Sequence, residues 1–310
     1  AFGYQILGFG SGGVASFEVT DVDYLVVGGG ASGGATYGGG GGAGGYRTSF
    51  CNACASALTV CSGCHSITVG AGGAQRCVPG SDVGFVGTNS IFSTITSAGG
   101  GFGGTYPEDA GDGGSGGGGG RDGGSGSGGD GNTPTAPAPL GGPQGNPGGS
   151  PAGTSWNGGG GGGGAGSAGG AGGGGAPSTE TAGNGGNGSA NSITGSPVTY
   201  AGGGGGALSG SNPSTGAFGA SGPGGGGRGY AKPTTGGGGQ TVSAGAANYG
   251  GGGGAGHDSS PSGAGGSGIV IIRTPSAYTL AVSPGCNSST AHPGGDKIAT
   301  FNVTGTLTIS

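Results

Sequence analysis

The chain is 310 residues long, has 7 basic against 12 acidic side chains for a net charge of −5, and devotes 101 positions to glycine. Val, Ile, Leu and Phe together number only 41, roughly 13%, too few for an ordinary apolar core in a chain of this length. This composition argues against a helical protein, because each glycine costs about 1 kcal/mol in a helix relative to alanine; against a nucleic-acid binder, which needs a basic stripe; and against a membrane span, which needs about 18 or more consecutive apolar residues.

Residues 1–16 form an N-terminal arm. Its stretch Phe2-Gly-Tyr-Gln-Ile-Leu-Gly-Phe-Gly10 is aromatic and apolar but too short for a core. It reads either as an arm packed on its own domain or as a docking peptide. No basic segment followed by an apolar run occurs in residues 1–27, so no signal peptide is expected. The first residue is Ala1 and the chain has no Met, which fits removal of an initiator Met.

Residues 17–104 read as a β-rich region with a cysteine cluster. Phe17-Glu-Val-Thr-Asp-Val-Asp-Tyr-Leu-Val-Val27 begins with alternation and ends as a continuous apolar run. Ser66-Ile-Thr-Val69 and Ser90-Ile-Phe-Ser-Thr-Ile-Thr96 are rich in β-branched residues, as strands are. Residues 105–268 differ sharply, with only Leu140, Ile193, Val198, Leu208, Phe218 and Val242 as large apolar residues between 105 and 265. Residues 269–310 return to β character. Ile269-Val-Ile-Ile-Arg273 suits a buried strand, Tyr278-Thr-Leu-Ala-Val282 alternates, and so does 298–309, with a turn expected at Gly305.

Glycine runs recur at 99–104, 113–120, 158–164, 169–175, 202–206, 224–227, 236–239 and 250–254. Uninterrupted runs exclude the triplet register of collagen. Such a middle region is either a flexible linker or a bundle of polyproline II-like glycine helices with three residues per turn and no internal hydrogen bonds. In the second case backbone donors and acceptors point sideways and bond between neighbours that no Cβ holds apart. Anchorage favours order: strand 24–27 runs directly into Gly28-Gly-Gly30, and Gly265-Gly-Ser-Gly268 runs directly into strand 269–272. The expected fold class is therefore all-β with a glycine-helix bundle and essentially no α-helix.

Motifs that could carry chemistry are few. Gly28-Gly-Gly-Ala-Ser-Gly33 matches the dinucleotide fingerprint, but no helix can follow it to receive a pyrophosphate, and no acidic residue lies about 20 positions on. Cys51-Asn-Ala-Cys54 and Cys61-Ser-Gly-Cys64 are two C-x-x-C pairs, with Cys77 and the remote Cys286. All six are disulfide candidates, each bridge being worth roughly 2–4 kcal/mol. Cys51, Cys54, Cys61 and Cys64 are a zinc alternative, although the six residues between the pairs fall short of the usual spacing of about 15–20. Free thiols are the third reading. Asp109, Asp112, Asp122 and Asp130 lack the apolar residue of a calcium β-roll repeat and read as solvated loops. His257-Asp258-Ser259 has triad residue types, but adjacency in a loop is not triad geometry. No enzyme activity and no cofactor are expected. Tyr106, Trp156, Asn157, Tyr200, Phe218, Tyr230 and Tyr249 lie at or near the ends of runs. Aromatics with Ser and Asn dominate binding loops because they offer contact area at low entropy cost, so these are the receptor-contact candidates; packing on one another to cap the bundle is the alternative.

Four motifs in order, Asp23-Tyr-Leu-Val-Val-Gly-Gly-Gly30, Gly41-Gly-Ala-Gly-Gly-Tyr-Arg47, Ile67-Thr-Val-Gly-Ala-Gly-Gly73 and Gly265-Gly-Ser-Gly-Ile-Val-Ile-Ile-Arg273, resemble glycine-rich virion proteins of tailed bacteriophages. The resemblance covers about residues 17–275. It implies a polyglycine II sandwich of the tail-tip adhesin type, a fibre or tail-tip component located on the virion or outside the cell. It also implies a structural or adhesive role, with loops between glycine helices contacting the host. The implied partners are other virion proteins, copies of itself, and a bacterial surface glycan or outer-membrane protein, with no nucleic acid and no membrane insertion. The alternative is a purely structural capsid decoration or filament subunit. In one respect the chain departs from the pattern: a segment like Ala299-Thr-Phe-Asn-Val-Thr-Gly-Thr-Leu-Thr-Ile309 usually precedes the Asp-Tyr-Leu-Val-Val strand. Here it is expected either to fold back beside strand 22–27 or to pair with the next subunit.

Overall fold

A computed structural model describes residues 18–51, 55–77, 83–121, 126–135, 143–152, 158–174, 180–208, 217–231, 241–257 and 260–310. Among them are thirteen strands and no helix. The protein is all-β, and every paired strand runs antiparallel to its partner.

The expected strands at both ends of the sequence meet in space. β1 (Val19–Val27) lies beside β9 (Ile269–Thr274), in the register Val27↔Ile269 to Asp23↔Arg273. On its other edge β1 pairs with β3 (Leu58–Cys61) through its first half and with β2 (Tyr46–Thr48) through its second. With β12 (Lys297–Phe301) and β11 (Ser288–Ala291) these form a sheet ordered β11-β12-β9-β1-β2, with β3 on β1. A second sheet holds β10 (Leu280–Ser283), β13 (Gly305–Ile309), β4 (Gly63–Thr68), β5 (Ser90–Phe92) and β6 (Ile95–Ser97), in the order β10-β13-β4-β5-β6. Tyr24, Val26, Val270, Ile272 and Phe301 of the first sheet meet Ile67, Phe92, Ile95, Leu307 and Ile309 of the second in one buried layer. Burying each such side chain stabilises by about 1.5–3 kcal/mol.

Several expectations shift. Residues 90–96 are not one strand but a tight hairpin, because Ser93 takes a positive φ of 51° and the chain reverses there. The turn expected at Gly305 lies at 302–304, and Gly305 opens β13. The two C-terminal strands do not form a hairpin with each other. The chain crosses from one sheet to the other, and Asn287 Oδ1 holds the crossing by accepting from the N–H groups of Asn302 (3.0 Å) and Val303 (3.2 Å). The C-terminal strands pair within their own chain, but not beside strand 22–27. β9 occupies that place, β12 lies one strand further out, and β13 has both edges filled by β4 and β10. The region 105–268 contains an unforeseen hairpin, β7 (Ser189–Asn191) with β8 (Val198–Tyr200). Ile193, Tyr200 and Ala201 cover the outer face of the first sheet over Leu25, Val27, Ile269 and Ile271.

The glycine segments pack by backbone alone, and their hydrogen bonds repeat every third residue. In segment 28–34, Gly28, Ala31 and Gly34 donate to Gly45, Gly42 and Gly39; Gly29 and Ser32 donate to Thr88 and Phe85; Gly30 and Gly33 donate to Gly266 and Gly263. One segment thus addresses three neighbours in rotation, which requires three residues per turn. Segment 38–45 does the same with segments 250–256, 98–104 and 160–163, through N–H···O distances of 2.7–3.4 Å. Its carbonyls accept from segments 28–34, 115–118 and 204–207. Three neighbours that accept and three that donate give it six, a hexagonal surround. Gly40 shows why no side chain fits: an added Cβ would stand 2.1 Å from the carbonyl oxygen of Gly204.

Candidate functional site

The bundle has two unlike ends. At one, the segments enter the sheets: Val27 of β1 leads to Gly28, Gly45 to Tyr46 of β2, Ser97 of β6 to Ala98, and Gly268 to Ile269 of β9. At about 3.1 Å per residue, the reversal at 35–37 lies about 20 Å from that junction. Here the free end carries side chains. Tyr37, with φ 49°, turns the chain back. Its ring meets His257 edge-on at 5.0 Å, and His257 stacks on Tyr230, also at 5.0 Å. The Arg121 guanidinium lies 4.9 Å from the centre of the Tyr37 ring, and the Arg121 N–H donates to the Tyr37 carbonyl at 2.9 Å. Thr105 Oγ1 donates to the Thr36 carbonyl (2.7 Å), tying the next segment end to this one. Nearby lie Arg76 over the Phe85 ring at 4.2 Å, and a small apolar cluster of Ala182, Leu208 and Ala231 with Phe218 against it. The arrangement is a ladder of aromatic faces and guanidinium groups. It offers stacking and cation–π contact area.

The receptor-contact candidates divide between the ends. Tyr106 is 52% exposed at the free end, and Tyr230 and Phe218 are half-buried there. Tyr200 is a correction: it is 5% exposed at the sheet end, part of the core over Leu25 and Val27, and burial pushes its phenol up to about 12. Tyr249 also lies at the sheet end, its ring 5.6 Å from that of Tyr200. Trp156 and Asn157 fall outside the described residues. Position at the end of a run does not say which end. Counting reversals from β1 would have: the first turn after an anchored strand must face away from the sheet, and Tyr37 occupies it.

The disulfide expectation is corrected for the described cysteines. Cys51, Cys61, Cys64, Cys77 and Cys286 are all exposed free thiols; Cys54 lies outside the described residues. Cys61 ends β3 and Cys64 belongs to β4, on either side of the corner at which the chain changes sheets, with Gly63 at φ 126°. They pair with Val19 and Thr308 of different sheets. Among the described residues no group of three or more His, Cys, Asp or Glu side chains could hold a metal ion, and the zinc alternative would need Cys54.

The acidic residues have a structural use. Asp109 Oδ1 accepts from the Ser127 N–H and Asp112 Oδ1 from the Asp130 N–H, both at 2.7 Å. Each carboxylate stands where a neighbouring segment would present a carbonyl. The fingerprint-like Gly28–Gly33 stretch is buried, and its N–H groups are spent on bundle carbonyls. Asp258 and Ser259 lie outside the described residues.

No curated protein matches the chain. The model of a glycine-rich domain family matches residues 11–275, which takes in both anchoring strands and the whole bundle between them. The chain belongs to this glycine-rich domain family.

Proposed function

We propose that this chain is a structural and adhesive protein of a tailed-phage virion, a fibre or tail-tip component. In this reading its glycine segments are polyglycine II helices, and its free end touches the host surface. The observation that carries the proposal is the polarity of the bundle. One end is sealed by two sheets, while the other gathers Tyr37, Arg121, His257 and Tyr230 from four separate segments. A backbone-bonded lattice holds these side chains without needing a large apolar core. Rigid presentation of aromatic residues lowers the entropy cost of binding.

The test is competition. Purified protein added to host cells should block adsorption of the phage that carries it, and a Tyr106→Ala/Tyr230→Ala variant should block less at equal concentration. Full competition by the variant would remove the free end from the adhesive role.

A second reading, a capsid decoration or filament subunit, draws on the outer edge of β11. All four of its residues are exposed and among the described residues it pairs only with β12, so its backbone can accept a strand from another copy. Concentration-dependent assembly abolished by a proline at Thr290 would favour that reading.

A further inference from the structure

Strand alternation puts Tyr46 and Thr48 of β2 on one face of the first sheet. That face is the outer one, because Tyr46 and Phe50 pack there against the layer of Leu25, Val27 and Ile271 that the β7–β8 hairpin covers. Between β2 and β7 lies a cavity of about 370 Å³. From β2 and its continuation it is lined by Tyr46, Phe50 and Cys51, and from β7 and the residue after it by Ser189, Asn191 and Ser192. Its volume is near the low end of the ~300–1,000 Å³ of small-molecule sites, which suits one ring and not a chain.

The hydrogen bonds divide its polar groups into two kinds. Asn191 is fully committed: its Oδ1 accepts from the Ile193 N–H at 2.8 Å, and its Nδ2 donates to the Tyr46 hydroxyl at 2.9 Å and to Thr48 Oγ1 at 3.1 Å. Thr48 is committed too, donating to the Tyr24 carbonyl at 2.8 Å and accepting from the Phe50 N–H at 3.1 Å. These two residues hold the wall. The Tyr46 hydroxyl accepts from Asn191, so its own hydrogen is left to donate. Burial raises the pKa of this phenol and keeps it neutral. Ser189 and Ser192 bring two further hydroxyls, each able to donate or accept. The Arg273 guanidinium lies 4.9 Å from the centre of the Phe50 ring, but its charge is met by Asp296 at 2.9 Å. No charged side chain is among the described residues that line the cavity.

We propose that this cavity binds one neutral cyclic polyol, a sugar ring. The apolar C–H face of such a ring lies against Phe50 and Tyr46, which supply aromatic area, and its hydroxyls meet those of Tyr46, Ser189 and Ser192. A charged ligand would be desolvated there with no counter-charge. The site belongs to the sheet end of the molecule and stands whether or not the free end is adhesive.

The test is saturation-transfer NMR on the full chain, with glucose, galactose, mannose and N-acetylglucosamine as probes. Each free sugar is run beside its methyl glycoside, which separates a free sugar from a glycosidically linked one. We expect saturable binding with a millimolar Kd in at least one series. Methyl glucuronide, the charged counterpart, should bind at least about tenfold more weakly than the best neutral ligand. Tyr46→Phe keeps the ring and removes the donor, and should weaken binding about fivefold. Phe50→Leu keeps apolar volume and removes the aromatic face, and should weaken it by a similar factor. If Phe50→Leu does not fold, Tyr46→Phe, which deletes a single oxygen, still decides. The absence of saturable binding in every neutral series, glucuronide binding as tight as that of the neutral sugars, or undiminished binding in Tyr46→Phe overturns the proposal.

Discussion

In the sandwich, Tyr24, Phe92 and Phe301 fill the space between two sheets, and the sheets stand apart because those side chains need room. In the bundle there is no such space. Segment 38–45 touches six neighbours through its own amides and carbonyls, and an added Cβ at Gly40, Gly162 or Gly252 would fall 2.0–2.1 Å from a carbonyl oxygen. One region is held by what its side chains bury, the other by what the lack of side chains permits. The bundle pays glycine's large conformational entropy and recovers it through dense hydrogen bonding. The sandwich supplies the anchors that bring the segments together.

This contrast can be broken in order of effect. The largest loss is expected from Gly40→Ala with Gly162→Ala, which drives methyl groups into backbone at the centre of the bundle; the cooperative unfolding transition should disappear in calorimetry. Gly285→Ala is the control, since nothing lies within 4 Å of its added Cβ, and it should change stability by less than about 0.5 kcal/mol. Next comes Phe301→Ala in the sandwich, expected to cost about 3–5 kcal/mol in a denaturant titration. Third is pH. Burial raises the Tyr200 phenol to about 12, above the unfolded value near 10. The neutral phenol is favoured in the folded state, so its contribution is intact below pH ~10 and is lost as pH rises toward about 12. The loss should be about 2 kcal/mol, and absent in Tyr200→Phe. The smallest effect, about 1 kcal/mol, is expected for Asp112→Ala, which removes one acceptor at the margin of the bundle.

The same contrast explains what was legible in the sequence. β9 and the second half of β1 announce themselves because a strand buried on both faces is a continuous apolar run, and both lie inside their sheet. The glycine runs were legible from composition, but segments 28–34 and 38–45 also belong to the bundle although they fall within 17–104, the stretch read as β-rich. β2 was not, because three residues carry no periodicity and Tyr46–Thr48 become a strand only by lying against Leu25–Val27. β7 and β8 were hidden in the same way, within polar surroundings, although Ile193, Val198 and Tyr200 marked an apolar knot there. The free-end ladder was missed because Tyr37, Arg121, Tyr230 and His257 are far apart in sequence and meet only through the lattice. Counting aromatics at run ends also drew in Tyr200, which faces the sheets.

Amide hydrogen exchange tests the backbone lattice most directly. If the three-residue pattern of hydrogen bonds holds the molecule, the amides of residues 39–45 should exchange only on global unfolding, as slowly as those of β1 and β9. Exchange of that segment at loop rates, while β1 and β9 stay protected, would contradict the account.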